Sequence, residues 1–321
     1  MKVDSIIAPV HKSLLKMELT EARFLRSTNK GHNEIYIVDA HNSPNVMWEI
    51  GRLREIAFRT SGGGTGKSAD IDEFDTMEEP CQQLIVWNPE AEEIIGGYRF
   101  LLGENMKMDK NGVPRIAMSH MFGYSQEFLK EKLPYTLELG RSFVSVEYQS
   151  TKAGVKALGA LTVVYPNLKY FFGKMTMYPS YPHECRNMIL YFLDKYFHDN
   201  DRLVYPLHPL DARIDEDKMR HIFTGSTFRE DYKILNSHIR SHGINIPPLV
   251  NSYMNLSPKM LVLGTAINDE FGDVEETGIF FAISDIYEDK KMRHIRTFYH
   301  RFIEYRQELV RRMRDYSRNR K

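Results

Sequence analysis

From Gln82 to Leu102 the chain carries two strand-like runs, QQLIVWN and EIIGGYRFLL, joined through Asn88-Pro89-Glu90. Runs this close in sequence pair by folding back on each other, so they form an antiparallel hairpin. EIYIVDA, Glu34 to Ala40, alternates and reads as a strand. TLELGRSFVSV, Thr136 to Val146, is another, and its internal Gly140 marks a bulge or a close backbone approach. LKYFFGKMTM reads as a buried strand with an internal glycine, Gly173. KMLVLGTAIN and TGIFFAISDI are strands around the loop DEFGDVEE.

Helices fall between these runs. Ser43-Pro44 starts one, with Ser as cap and Pro in the first turn, and Val46, Ile50, Leu53 and Ala57 give it one apolar stripe. KAGVKALGALTVVY and ECRNMILYFLDKYF read as helical, PPLVNSYMNL as a short helix, and Met292 to Met313 as a long one. Residues 199–245 are polar and read as irregular. The order predicts an α+β fold, a mostly antiparallel sheet with helices on both faces.

The first helix runs into FRTSGGGTGKSADIDEFD, Phe58 to Asp75. Gly66-Lys67-Ser68 looks like the end of a phosphate-binding loop, whose backbone N–H groups wrap phosphates. The first glycine that loop requires falls on Ser61, a helix precedes it where a strand should, and Asp70, Asp72, Glu73 and Asp75 follow and would repel phosphate. A mobile glycine loop joining two elements is the expected structure.

Other chemistries lack their residues. There is no Gly-x-Ser-x-Gly elbow, no His-Glu-x-x-His, and no histidine followed five positions on by Asp. Two cysteines, Cys81 and Cys185, make neither a disulfide framework nor a metal motif. The N-terminus lacks the apolar core of a signal peptide and no run reaches the ~20 apolar residues of a membrane helix, so a cytoplasmic protein is expected. With 43 Lys+Arg against 43 Asp+Glu, net charge points to no partner.

The informative charges lie in three places. Arg54 and Phe58 share a helix face at i, i+4, Asp72 and Asp75 lie in DIDEFD, and Glu138 and Arg141 lie in LELGRSFV, with Arg99 on the neighbouring strand. The ordered set Arg-x-x-x-Phe, Asp-Glu-Phe-Asp, Gly-x-Arg-Phe-Leu and Glu-Leu-Gly-Arg-Ser-Phe-Val resembles the acyl-carrier-protein-dependent N-acyltransferases of the GNAT superfamily. It is most similar to the first-step enzymes of ornithine-lipid and glycine-lipid synthesis, often labelled hemolysins, and more distantly to acyl-homoserine-lactone synthases. YFFGKMTMYPSYP, IPPLVNSYMNLSPKM and NDEFGDVEETGIFFAISDI fit the lipid branch as well.

The resemblance implies a GNAT-like domain over residues 34–290, after an N-terminal extension (1–33) and before a basic C-terminal helix (291–321). It implies no metal and no cofactor beyond the acyl-phosphopantetheine carrier protein that donates the chain, and an acceptor that is glycine or ornithine. The strands bearing Gly140 and Gly173 are those the superfamily parts to seat the donor. Glu138 would take the ammonium proton or anchor the cation, with Arg141 beside it if a bulge at Gly140 turned it to the same face. Arg54, Phe58, Asp72, Asp75, Arg99, Gly140 and Gly173 would line the substrate site. The glycine loop would be an acceptor-side or lid loop, since in the related synthases this region closes over the acyl site. The same charges could instead form a buried ion network that only holds the fold. Coenzyme-A-using relatives carry a glycine-rich pyrophosphate loop, whereas here Gln149 is followed by Lys152 in YQSTKAGVKALGAL, which favours a carrier-protein donor.

Asp289 to Lys321 holds twelve Lys/Arg and four Asp/Glu, a net +8, leaving −8 on the rest. Such a helix suits an acidic carrier protein or anionic headgroups at the inner membrane face, or it packs on the domain by its apolar stripe. Nucleic acid is not expected, because no recognition motif accompanies the charge. Two rival readings stay open: a homoserine-lactone-type signal synthase, and a non-enzymatic membrane-active protein.

Overall fold

A computed structural model describes residues 3–28, 32–149, 161–162 and 164–291. The hairpin anchors it: β3 (Gln82–Asn88) pairs antiparallel with β4 (Glu93–Leu102). On one side follow β2 (Glu34–Val38) and the edge strand β1 (Phe24–Ser27). On the other lie β6 (Thr136–Val144), β7 (Tyr170–Met177), β10 (Val274–Ala282) and β9 (Leu261–Asn268), giving the order β1-β2-β3-β4-β6-β7-β10-β9. Among the described strands of this sheet, β6 and β7 are the one parallel pair. The remaining strands, β5 (Phe122–Tyr124) and β8 (Val204–Pro206), pair separately.

The segment 1–33, expected as an extension, contributes to this architecture. It supplies β1 and the helix α1 (Lys12–Glu18), whose Leu15 packs into the same cluster as the apolar stripe of α2 (Pro44–Thr60). Pro44 stands in the first turn of α2, and Val46, Ile50, Leu53 and Ala57 are all buried. After the short α3 (Glu73–Thr76) comes α4 (His183–Phe197), which covers the opposite face with α5 (Glu216–Ile222), α6 (Phe228–Ser241) and α7 (Pro248–Met254).

Residues 199–245 are not irregular. They form β8, α5 and α6. α6 opens with a reciprocal capping box, Thr227 with Glu230, and buries a narrow stripe of Asp231, Leu235 and Ile239 at i, i+4, i+8. One polar member in so thin a stripe hides its helical period. Asp231 is buried because the Lys195 ammonium (2.6 Å) and the Tyr196 hydroxyl (2.7 Å) satisfy it. Most of KAGVKALGALTVVY and all of Met292 to Met313 lie outside the described residues.

The two faces of the sheet differ. One is mainly apolar, built from Leu84, Phe100, Leu137, Leu139, Phe171 and Ile279 beneath α4 and its neighbours, with Glu275 paired to Arg186 of α4 at its margin. The other is split. An aliphatic and aromatic cluster under α1 and α2 holds one end, and a second cluster around Phe122, Phe128, Phe172 and Phe280 holds the other. Strand register places Gln83, Arg99, Glu138, Lys174 and Glu276 on that same face, one from each of five strands.

Candidate functional site

β6 and β7 pair only from Thr136↔Tyr170 to Leu139↔Gly173, while β6 continues against β4 as far as Val144. Beyond Leu139 the two parallel strands part. Gly173 is needed at the last paired position, because a Cβ there would lie 2.9 Å from the Leu139 carbonyl oxygen. Gly140, the next residue of β6, meets no such wall. A Cβ there would stand 3.7 Å from Glu138 Oε1 and 3.8 Å from Arg99 Nε, in ordinary contact. The point where the sheet opens is therefore flanked by a carboxylate and a guanidinium.

The expected bulge is present, one residue later than predicted. Between the pairs Arg99↔Gly140 and Gly97↔Phe143, β6 holds one residue more than β4, and Arg141 takes a left-handed backbone, φ 47°. The turn sends Arg141 to Asp70 (Nε–Oδ2 3.0 Å) and Asp72 (Nη2–Oδ2 3.5 Å), over the Phe271 ring at 4.3 Å. It does not pair Arg141 with Glu138: no ion pair within 4.0 Å links them.

The sequence DEFD builds the next layer by a local rule. Asp72 caps α3 by accepting the Phe74 and Asp75 N–H groups, and Asp75 returns a bond to the Asp72 N–H. The same two carboxylates hold the arginines. Arg99 Nη1 donates to Asp72 at 2.6 and 2.7 Å and lies 3.4 Å from Asp75. Arg54, fully buried on α2, reaches Asp75 at 3.3 Å and bonds to Gln83, whose amide donates to Asp75 at 2.9 Å. Three arginines and three aspartates thus alternate, which offsets the cost of burying each charge alone. Phe58 does not face this network. It packs edge-on against Phe271 at 5.0 Å, beneath the ring on which Arg141 lies.

Glu138 differs from these carboxylates. It is 2% exposed and accepts no hydrogen bond from another described residue. Burial raises its pKa above the usual carboxylate range, against the pull of Arg99, Lys174 and Arg141. Burial also pushes Asp70 up despite Arg141. Asp72 goes the other way, because attraction and hydrogen bonding from Arg99 outweigh its burial. Burial pushes the Cys81 thiol up to about 12, so it stays protonated at neutral pH and offers no thiolate nucleophile. The arrangement holds one unpartnered carboxylate of raised basicity where two strands part, which suits proton removal from an ammonium group.

The glycine loop is tied down by hydrogen bonds and is not a phosphate cradle. Glu55 of α2, fully buried, fills it: its carboxylate accepts the Thr65 N–H (3.2 Å), the Thr65 hydroxyl (2.8 Å) and the Gly66 N–H (2.8 Å), and pairs with Arg59 at 2.7 Å. Asp4 and Ile7 donate their N–H groups to Gly66 and Ser68 carbonyls from outside. The backbone donors a phosphate would need are taken by the chain's own carboxylate.

Four residues of the network were not singled out in the sequence. Gln83 and Asp70 complete the arginine shell. Lys174 pairs with Glu276 at 3.0 Å, and Glu276 accepts further bonds from Thr176 (2.8 Å) and Asn268 (3.4 Å). A lone Lys in YFFGKMTM and a Glu leading into TGIFFA were the available signals. Among the described residues no group of His, Cys, Asp and Glu could hold a metal, and no helix is long and apolar enough to cross a membrane.

Residues 53–158 match the acetyltransferase (GNAT) domain. The chain is 60% identical over 306 residues to a glycine N(alpha)-acyltransferase of Phocaeicola vulgatus, covering 92% of this chain and 94% of that protein. It is 62% identical over 306 residues to a glycine N(alpha)-acyltransferase of Bacteroides thetaiotaomicron, covering 92% of this chain and 91% of that one. Among solved structures, the coenzyme-A-dependent acyl-homoserine-lactone synthase BjaI is similar with a TM-score of 0.35 and 11% identity, over 80% of this chain and 85% of its own. The likeness to the sequence relatives, near-complete on both sides, decides the assignment: the chain is an N-acyltransferase with a GNAT domain and belongs to the family of the glycine N(alpha)-acyltransferases.

Proposed function

We propose that this enzyme transfers a long-chain acyl group, 3-hydroxylated chains included, from an acyl-carrier-protein thioester to the α-amine of glycine, making an N-acylglycine for aminolipid synthesis. The observation that carries the acceptor is the glycine named for both relatives at 60% and 62% identity. Of the two acceptors the sequence suggested, glycine is therefore preferred to ornithine.

The chemistry follows from the site. The glycine ammonium loses a proton to Glu138, directly or through water, and the free amine attacks the thioester carbonyl. The amide C–N bond forms and the nitrogen gives up a second proton, the C–S bond breaks, and the leaving thiolate takes up one proton, so that one proton in all is released to solvent. Burial that raises the basicity of Glu138 favours the first step. Backbone N–H groups freed where β6 leaves β7 would stabilise the oxyanion.

Support for the carrier-protein donor comes from the stretch after β6. Gln149 donates to the Val144 carbonyl at 3.1 Å, and Lys152 stands where coenzyme-A users carry glycine. The basic segment 289–321 complements an acidic carrier protein, and it would also hold the enzyme at an anionic membrane surface. Purified enzyme supplied with matched acyl-carrier-protein and coenzyme A thioesters, and with glycine or ornithine, tests all of this by mass spectrometry. N-acylglycine should form, with far higher kcat/KM from the carrier-protein donor. Equal efficiency from the two donors overturns the donor assignment, and N-acylornithine as the main product overturns the acceptor.

A further inference from the structure

A transferase that takes a free amino acid must hold both ends of a zwitterion, and Glu138 answers only for the amine. The row of side chains across the sheet supplies the other end. Arg99 is paired with Gly140 in the β4–β6 register, and Lys174 lies one residue past the last β6–β7 pair, on the same face. Gly140 therefore has Arg99 beside it across β4, Glu138 two residues back along its own strand, and Lys174 on the same face of β7, just past the point where the strands part.

The partners of these groups are unevenly used. Arg99 gives Nη1 to Asp72 and Asp75, but its Nε–H, on a side chain 2% exposed, has no partner among the described residues. A buried unpaired donor is costly and calls for an acceptor. That Nε and Glu138 Oε1 flank the position a Gly140 Cβ would take. Lys174 spends one contact on Glu276, which Thr176 and Asn268 fix in turn, and a lysine ammonium has three donors. Lys174 and Glu138 form no ion pair within 4.0 Å, although Lys174 is near enough to pull the Glu138 carboxyl toward its charged form. Leu101 and Phe172, the cross-strand neighbours of Glu138, are buried and apolar.

We propose that the space over Gly140 is the acceptor subsite, where the carboxylate of a small amino acid lies between Arg99 Nε–H and the Lys174 ammonium and its amine faces Glu138. This rests on the reading of the enzyme as a transferase to glycine, and it adds the residues that select that acceptor. A zwitterion adds no net charge to the buried cluster. The smallest amino acid suits a subsite whose floor is a glycine: a substituent on the acceptor's α-carbon, or on Gly140, competes for the same room.

The full-length enzyme is assayed at saturating acyl-carrier-protein thioester against glycine, glycinamide and alanine, with Tm measured beside each variant. Wild type should use glycine far better than glycinamide, which lacks the carboxylate, and better than alanine. Lys174→Met should raise the glycine KM by about 10–100-fold, the worth of a charged hydrogen bond, and affect glycinamide far less, so that the ratio of the two KM values collapses. Lys174→Arg should restore part of it. Gly140→Ala, at a position with ordinary φ and only van der Waals contacts for the new methyl, should raise the glycine KM while Tm holds. If Lys174→Met does not fold, Gly140→Ala decides. Glycine and glycinamide used equally well by wild type, or an unchanged glycine KM in Gly140→Ala, overturns the subsite while the transferase reading stands. No acylation of glycine by wild type overturns both.

Discussion

Arg141 and Asp70, 71 residues apart in the chain, meet at 3.0 Å because Arg141 has a left-handed backbone. A regular strand would send Arg141 to the face opposite Glu138, as residues three apart always are. The extra residue in β6 reverses that, and the guanidinium closes a buried row in which Arg54, Arg99 and Arg141 alternate with Asp75, Asp72 and Asp70. The row fixes the Arg99 guanidinium beside the point where the sheet opens.

Glu138→Gln should cut turnover by roughly 10²–10⁴ without weakening the fold. The folded protein keeps a proton on Glu138 at pH values where the unfolded chain has lost it, since burial raises the folded value. The wild type therefore loses stability as pH rises from the ordinary Glu range, about 4.3, through that higher value, and the Gln variant does not. The Tm of the variant relative to wild type should increase as pH rises above about 4.3. Normal turnover with a lowered Tm at pH 8 rejects the role.

Asp72→Asn should behave in the opposite sense. Arg99 holds this carboxylate below its usual range, so its contribution is complete above about pH 3.9 and is lost as pH falls through the lower folded value. The substitution should cost about 3 kcal/mol at pH 7, because it leaves Arg99 short of a charge partner, and the difference from wild type should shrink below pH 4. Urea denaturation at pH 7, 5 and 3 measures both.

Gly173→Ala and Gly140→Ala should part company in stability. The first forces a methyl to 2.9 Å from the Leu139 carbonyl oxygen and should cost about 1–3 kcal/mol by prising β7 from β6. The second meets only side-chain tips beyond 3.6 Å, as the 3.7 and 3.8 Å distances show, and should leave Tm nearly unchanged. Thermal melts of the two variants compare them, and equal losses would contradict the geometry.

Glu55→Ala should release the glycine loop. Removing the carboxylate strands the Thr65 and Gly66 donors and Arg59, at a cost of about 3 kcal/mol, and limited proteolysis should then cut between residues 61 and 68. Lys67→Ala should change nothing that calorimetry with ATP or GTP can detect. A Lys67-dependent binding isotherm would restore the nucleotide reading.

The sequence alone determined the elements whose cause is local. An alternating run set β2, short apolar runs set β3, β4, β6, β7, β9 and β10, and an apolar stripe set α2, because each depends on residues within a few positions of one another. Charged residues inside apolar runs, Arg99 and Glu138 among them, could be picked out for the same reason, while Lys174 and Glu276 were equally visible and went unread. Only the tertiary structure decided which charges meet. Arg141 turning to Asp70, Glu55 filling the glycine loop, and Gly140 lying between Arg99 and Glu138 join residues from separate elements. Those meetings follow from strand register and one bulge, and a one-residue slip would turn every side chain of a strand to the other face. The helices of 199–245 escaped notice for a related reason: Asp231 in their thin buried stripe is made tolerable by Lys195 and Tyr196 on a distant helix, which no local pattern contains.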